Sequence, residues 1–147
     1  MEKAIKWISA AAGALASFFT GIPVIMWVLI GVMSLDYVSG LLCAAAGVSD
    51  KTEGGGLSSK AAFQGLLKKA VVLLVVLLAV LIDLAISVSA GLVSFNAISG
   101  AVCLWFVASE GVSILENAAE LGLPIPGVIM QALEIMQKAG VAGEHEE

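Results

Sequence analysis

The chain has 147 residues, of which 60% are hydrophobic and only 13% charged, with a net charge of −5. Soluble domains carry about 25% charged residues, so the composition excludes an ordinary water-soluble fold and leaves room for one compact membrane domain. There is no arginine, which removes support for nucleic-acid binding. Much of the negative charge lies in Glu144-His145-Glu146-Glu147 and signals no partner.

From Trp7 to Leu35 there is no charged residue, and from Ala70 to Ser109 there is one, Asp83. A bilayer core about 30 Å thick is crossed by about 20 apolar helical residues. The first stretch holds one helix and most of a second; the other holds two. The expected fold is therefore all-α: an integral membrane protein with four transmembrane helices, three being the alternative count, and an amphipathic helical tail.

The first helix is expected over residues 3–20. Ser9, Gly13, Ser17 and Gly21 recur every four positions and place a small-residue stripe on one face, where two backbones can approach closely. The competing reading is a helix lying in the interface. Lys3 and Lys6 before an apolar run, with Ala14-Leu15-Ala16, also resemble a secretory leader. Gly21-Ile22-Pro23 reads better as a tight turn into a second helix.

That second helix is expected over 23–46, with Asp36 in an apolar context and Gly40 and Ala44 on one face. Residues 47–62 form a polar loop around Gly54-Gly55-Gly56, read as flexible. With no preceding strand and no Gly-Lys-Ser/Thr ending, it is not a phosphate-binding loop. A third helix is expected over 63–89, where Ala79, Asp83, Ser87 and Gly91 line up at four-residue spacing. The fourth, over 95–112, carries Gly100 on its surface and ends near Glu110.

A tail over 113–147 would form a separate cytoplasmic or interfacial unit. Ser113 and Glu116 have capping-box spacing, Glu116 and Glu120 share a face, and Gly122 suits a left-handed cap. Pro124 and Pro126 make an extended elbow. A last helix from Pro126 to Ala139 has an apolar stripe of Val128, Ile129, Ala132, Leu133 and Met136, and Gly140 stops it. Cys43 and Cys103 lie in apolar runs and read as small packing residues, not a disulfide or a metal site. Nothing in the sequence calls for a cofactor.

Lysines set the orientation. Lys3 and Lys6 precede the first helix, and Lys51, Lys60, Lys68 and Lys69 lie between the second and third. The positive-inside rule places the N-terminus, this loop and the tail in the cytoplasm, which four crossings satisfy. Within the spans, an aspartate at mid-helix costs about 2.5–3.5 kcal/mol on insertion scales. Asp36, Asp83 and Glu110 must then face helices, water or one another. They are candidates for lining or gating a pore; the other reading is a structural hydrogen bond that fixes helix register. A rotor-ring subunit fits less well, because a second carboxylate hairpin and a long tail do not belong to that pattern.

Three blocks carry a family resemblance: Leu35-Asp36-Tyr37-Val38-Ser39-Gly40-Leu41-Leu42, the run from Leu57 to Lys69, and Ser109-Glu110-Gly111-Val112-Ser113-Ile114-Leu115-Glu116-Asn117-Ala118-Ala119-Glu120 continuing to Pro126. In this order, over about Leu29 to Met136, the chain resembles phage holins of the toxin-secretion and phage-lysis type. The Glu110 to Ala119 block is the specific one. Asp83 falls where that family's intramembrane aspartate is expected. The central loop departs from the pattern, with four lysines and no arginine. The resemblance implies a non-enzymatic pore former that self-assembles in the bacterial cytoplasmic membrane and opens a lesion for a cell-wall hydrolase or a large toxin. The alternative is a small oligomeric ion or proton channel, or a transporter subunit.

Overall fold

The computed structural model describes residues 2–3, 5–10, 13, 23–52, 54–94 and 96–141. Four helices are defined there: α1 (Val24–Ala46), α2 (Ser59–Ala90), α3 (Ala97–Glu120) and α4 (Gly127–Val141). No strand occurs among the described residues. Three of the helices, α1 to α3, are long and apolar enough to cross a membrane. The expected first span over 3–20 lies largely outside the described residues. Of its stripe, Ser17 and Gly21 lie outside them, Ser9 is exposed and bonds the Lys6 carbonyl, and Gly13 has no neighbour within 4 Å among the described residues.

Local chemistry sets most helix ends. Gly47 adopts φ 75° after α1, and the Val48 N–H bonds back to the Cys43 carbonyl. Gly91 closes α2 in the same left-handed conformation (φ 65°). At the start of α2 the Ser58 hydroxyl accepts from the Ala61 N–H at 3.3 Å. That cap starts α2 one turn earlier than the apolar pattern alone predicts, and the connection shortens to residues 47–58. At 32 residues, α2 is about 48 Å long, so its lysine-bearing first turns extend beyond the uncharged run from Ala70 to Ile82.

Two sequence expectations are corrected. The glycine triplet serves close approach rather than slack: Gly54 and Gly55 have φ 81° and 74°, and a Cβ on Gly55 would lie 2.2 Å from the Gly47 carbonyl oxygen. The Ser49 N–H bonds the Gly55 carbonyl, closing the turn. The second concerns Ser113 and Glu116, which are interior residues of one unbroken α3, not a helix-starting box. Nothing in Ser109–Asn117 breaks a helix, and an intrahelical Ser-x-x-Glu spacing is also an ordinary one-turn repeat.

α3 is the hub of the bundle. α1, α2 and α4 all pack on it, whereas α1 and α2 meet little. Leu29 and Met33 of α1, Val76 of α2, and Cys103 and Val107 of α3 form the buried core. Behind the extended connection at Leu123–Pro126, α4 turns back along α3. Gly111 lies under the Leu133 side chain, and Gly140 under Trp105 and Ala101. The helix is thus antiparallel to α3, and Gly140 is inside it rather than at its stop. Met130, Leu133, Met136, Gln137 and Gly140 are the partly buried positions. Val128, Ile129 and Ala132, expected in the packing stripe, are exposed together with Ile135.

Candidate functional site: a charged cluster between three helices

The ends of the bundle are built differently. At the end that carries the 47–58 connection, Asp36 of α1 and Glu110 of α3 converge on one lysine of α2. Lys69 Nζ lies 2.8 Å from Asp36 Oδ2 and also pairs with Glu110 Oε2. All three side chains are only 13–14% exposed. Asp36 lies twelve residues into a helix with no earlier charge, about 18 Å along its axis. Unpaired charges there would be expensive, and a cation shared by two carboxylates on two helices offsets that cost by fixing all three elements.

Asn117 extends the cluster. It is 1% exposed, and its Nδ2 donates to Ser39 Oγ at 2.7 Å and to Asp36 Oδ1 at 3.3 Å. Its Oδ1 accepts from Lys51 Nζ at 3.0 Å, and Lys51 also donates to Ser113 Oγ at 3.3 Å. The buried Cys43 thiol donates to the Asn117 carbonyl. One asparagine therefore joins the connection, α1 and α3. Gly40 lies beside it: a Cβ there would sit 3.7 Å from Asn117 Nδ2, in ordinary contact. Beside this network lies a cleft of about 620 Å³, walled by α1, α2, α3 and the 47–58 connection.

At the opposite end, Asp83 of α2 is 3% exposed and takes no lysine. Its Oδ2 accepts from the Ser99 N–H at 2.8 Å and its Oδ1 from the Ile98 N–H at 3.1 Å. These are the second and third residues of α3, whose own flanking Asn96 makes no side-chain cap. Asp83 thus caps the next helix, with its charge at the favourable end of the helix dipole. Ser87 bonds the Asp83 carbonyl.

The structure brings together Asp36, Glu110 and Asn117 and keeps Asp83 apart. Gly40 and Ala44 line the cleft, and Gly40 also faces Asn117 of α3. Gly100 has nothing facing it within 4 Å. Glu116 is exposed, Glu120 turns one oxygen inward without a hydrogen-bond partner among the described residues, and Pro124 and Pro126 shape the turn into α4. Sequence reasoning did not find Lys69 or Lys51 as site residues. Glu110, Ser113 and Asn117 share one face of α3 at i, i+3 and i+7, a signal lost when the helix is divided at residue 112.

A sequence model described as the bacteriophage holin family matches residues 13–138. The chain belongs to the bacteriophage holin family. A protein of Bacillus phage phi105 named a probable holin is 36% identical over 81 residues, covering 55% of this chain and 56% of that one. Longer matches are to uncharacterized bacterial proteins. One from Halalkalibacterium halodurans is 30% identical over 93% of this chain and 96% of its own length. Another, from Listeria monocytogenes, is 33% identical over 100% and 95%. No solved structure matches. Holins are membrane pore formers of phage lysis, and the three apolar helices of this holin-family chain fit that setting in the bacterial inner membrane.

Proposed function

We propose that the chain is a holin that crosses the cytoplasmic membrane four times with both ends inside, self-assembles, and opens a lesion through which a cell-wall hydrolase or a large toxin leaves. In family terms this is a non-enzymatic role. One observation carries the gating part of the reading: the shared Lys69 holds Asp36 and Glu110 together between three membrane-length helices. In a closed bundle the one lysine offsets part of the charge of both carboxylates. In a water-filled lesion each is solvated on its own, so separation of α1 from α2 and α3 exchanges buried pairing for hydration. Asp83 keeps the α2–α3 hairpin together while that happens.

The test is expression in a bacterium with a cytoplasmic cell-wall hydrolase. Abrupt lysis that needs both proteins supports the reading, and failure to release the hydrolase removes it. A channel or transporter subunit is the second reading, favoured by the same charged cleft; it would pass ions and retain the hydrolase. Cysteine accessibility at Ser9, Gly55, Ser94 and Gly143 tests the topology. Labelling of Gly55 from outside would overturn the orientation.

A further inference from the structure

We propose that the cleft between α1, α2 and the 47–58 connection binds the phosphate headgroup of an anionic phospholipid. Shape is the first argument. α1 and α2 meet little, and small residues stand among those lining the 620 Å³ cleft: Gly40 and Ala44 on one helix, Ala61 and Gly65 on the other. A Cβ on Gly65 would meet nothing within 4 Å. The space is therefore open to an occupant without displacement of any helix.

Charge is the second. Three lysines line the cleft against two carboxylates. Lys69 is committed to Asp36 and Glu110. Among the described residues, Lys51 donates to the neutral Ser113 and Asn117. Lys68 has no ion pair among the described residues and is exposed into the cleft. Lys68 thus faces the space without a carboxylate of its own among the described residues, and the lining carries one more cation than carboxylates. Depth is the third argument. Lys68 stands at the start of the uncharged run of α2, where hydrocarbon gives way to headgroups. Basic pockets between membrane helices on the cytoplasmic side take phosphate-bearing lipid heads. A free phosphate has the same anion chemistry, but it leaves the apolar rim of Leu41 and Leu57 unused. A lipid fills both.

The proposal rests on the membrane reading above but not on the pore. A chain that lyses cells yet holds no lipid fails here alone, and one that holds lipid but releases no hydrolase fails only there. The experiment uses the full chain in a neutral detergent, supplied with phosphatidylglycerol, phosphatidylcholine or inorganic phosphate, and read by native mass spectrometry and thermal midpoint. Phosphatidylglycerol should be retained over phosphatidylcholine and should raise the midpoint. Lys68→Gln should weaken that retention about fivefold, and Gly65→Leu, which fills the cleft, should abolish it. Lys60→Gln removes a lysine outside the cleft and should change nothing. Equal loss with Lys60→Gln would reduce the effect to diffuse surface attraction and overturn the site. Stabilisation by inorganic phosphate as large as by lipid would assign the cleft to the free anion instead. Self-association that is lost in Gly65→Leu without any anionic lipid present would assign it to a second copy of the chain.

Discussion

The two buried carboxylate sites solve one problem in two ways. Asp36 and Glu110 are satisfied by the side chain of Lys69, a partner that carries its own desolvation cost and can leave with its helix. Asp83 is satisfied by the backbone of α3, a partner present in any sequence that forms that helix. The first arrangement holds three helices but holds them conditionally; the second fixes a hairpin. A membrane bundle that must stay closed and later open is well served by one of each.

The comparison breaks most easily at the lysine. Lys69→Met should strand two adjacent carboxylates, a change of about 3–5 kcal/mol for a buried pair. It should appear as lost accumulation or premature lysis at matched expression. Adding Asp36→Asn and Glu110→Gln should restore the thermal midpoint, because the stranded charges are gone. If the single variant matches wild type in level, midpoint and lysis time, the cluster does not hold the bundle.

Asn117→Ala sharpens the picture at the same end. It removes the bonds to Ser39, Asp36 and Lys51 while leaving the Lys69 pairs in place. The expected loss is about 1–3 kcal/mol, read as a lower midpoint and faster proteolysis in the 47–58 connection. An unaltered connection would show that Lys51 needs no anchor. The smallest effect belongs to Asp83→Asn, which retains one acceptor of two. A loss of about 1 kcal/mol is expected, confined to faster hydrogen exchange at the Ile98 and Ser99 amides, with a smaller shift in lysis time than Lys69→Met. A lysis delay larger than that of the lysine variant would move the gate to the other end.

The spans were legible because hydrocarbon leaves a compositional trace: the uncharged runs before Asp36 and after Lys69 mark α1 and α2. Gly122 was legible as a left-handed cap because positive φ demands glycine, and it has φ 78°. Pairing was not. Lys69 lies 33 and 41 positions from its partners, and no local spacing records which helix faces which. Asn117 was hidden for another reason: after a helix divided at residue 112 it looks like part of a polar tail, whereas in an unbroken α3 it follows Glu110 and Ser113 down one face. The packing face of α4 was equally silent: Val128, Ala132 and Ile135 are apolar yet exposed, and it is Leu133 that meets Gly111 and Gly140 that meets Trp105.

Cys43 and Cys103 have a use beyond packing. Both are 0% exposed; Cys43 sits against Asn117 at the charged end, and Cys103 sits in the apolar core. They are the chain's two cysteines, so the natural protein carries a pair of silent chemical reporters. A thiol reagent added at intervals during expression would leave both unmodified while the bundle stays shut. The order in which they then become alkylated would time the parting of the charged end against the parting of the core, without a single engineered residue.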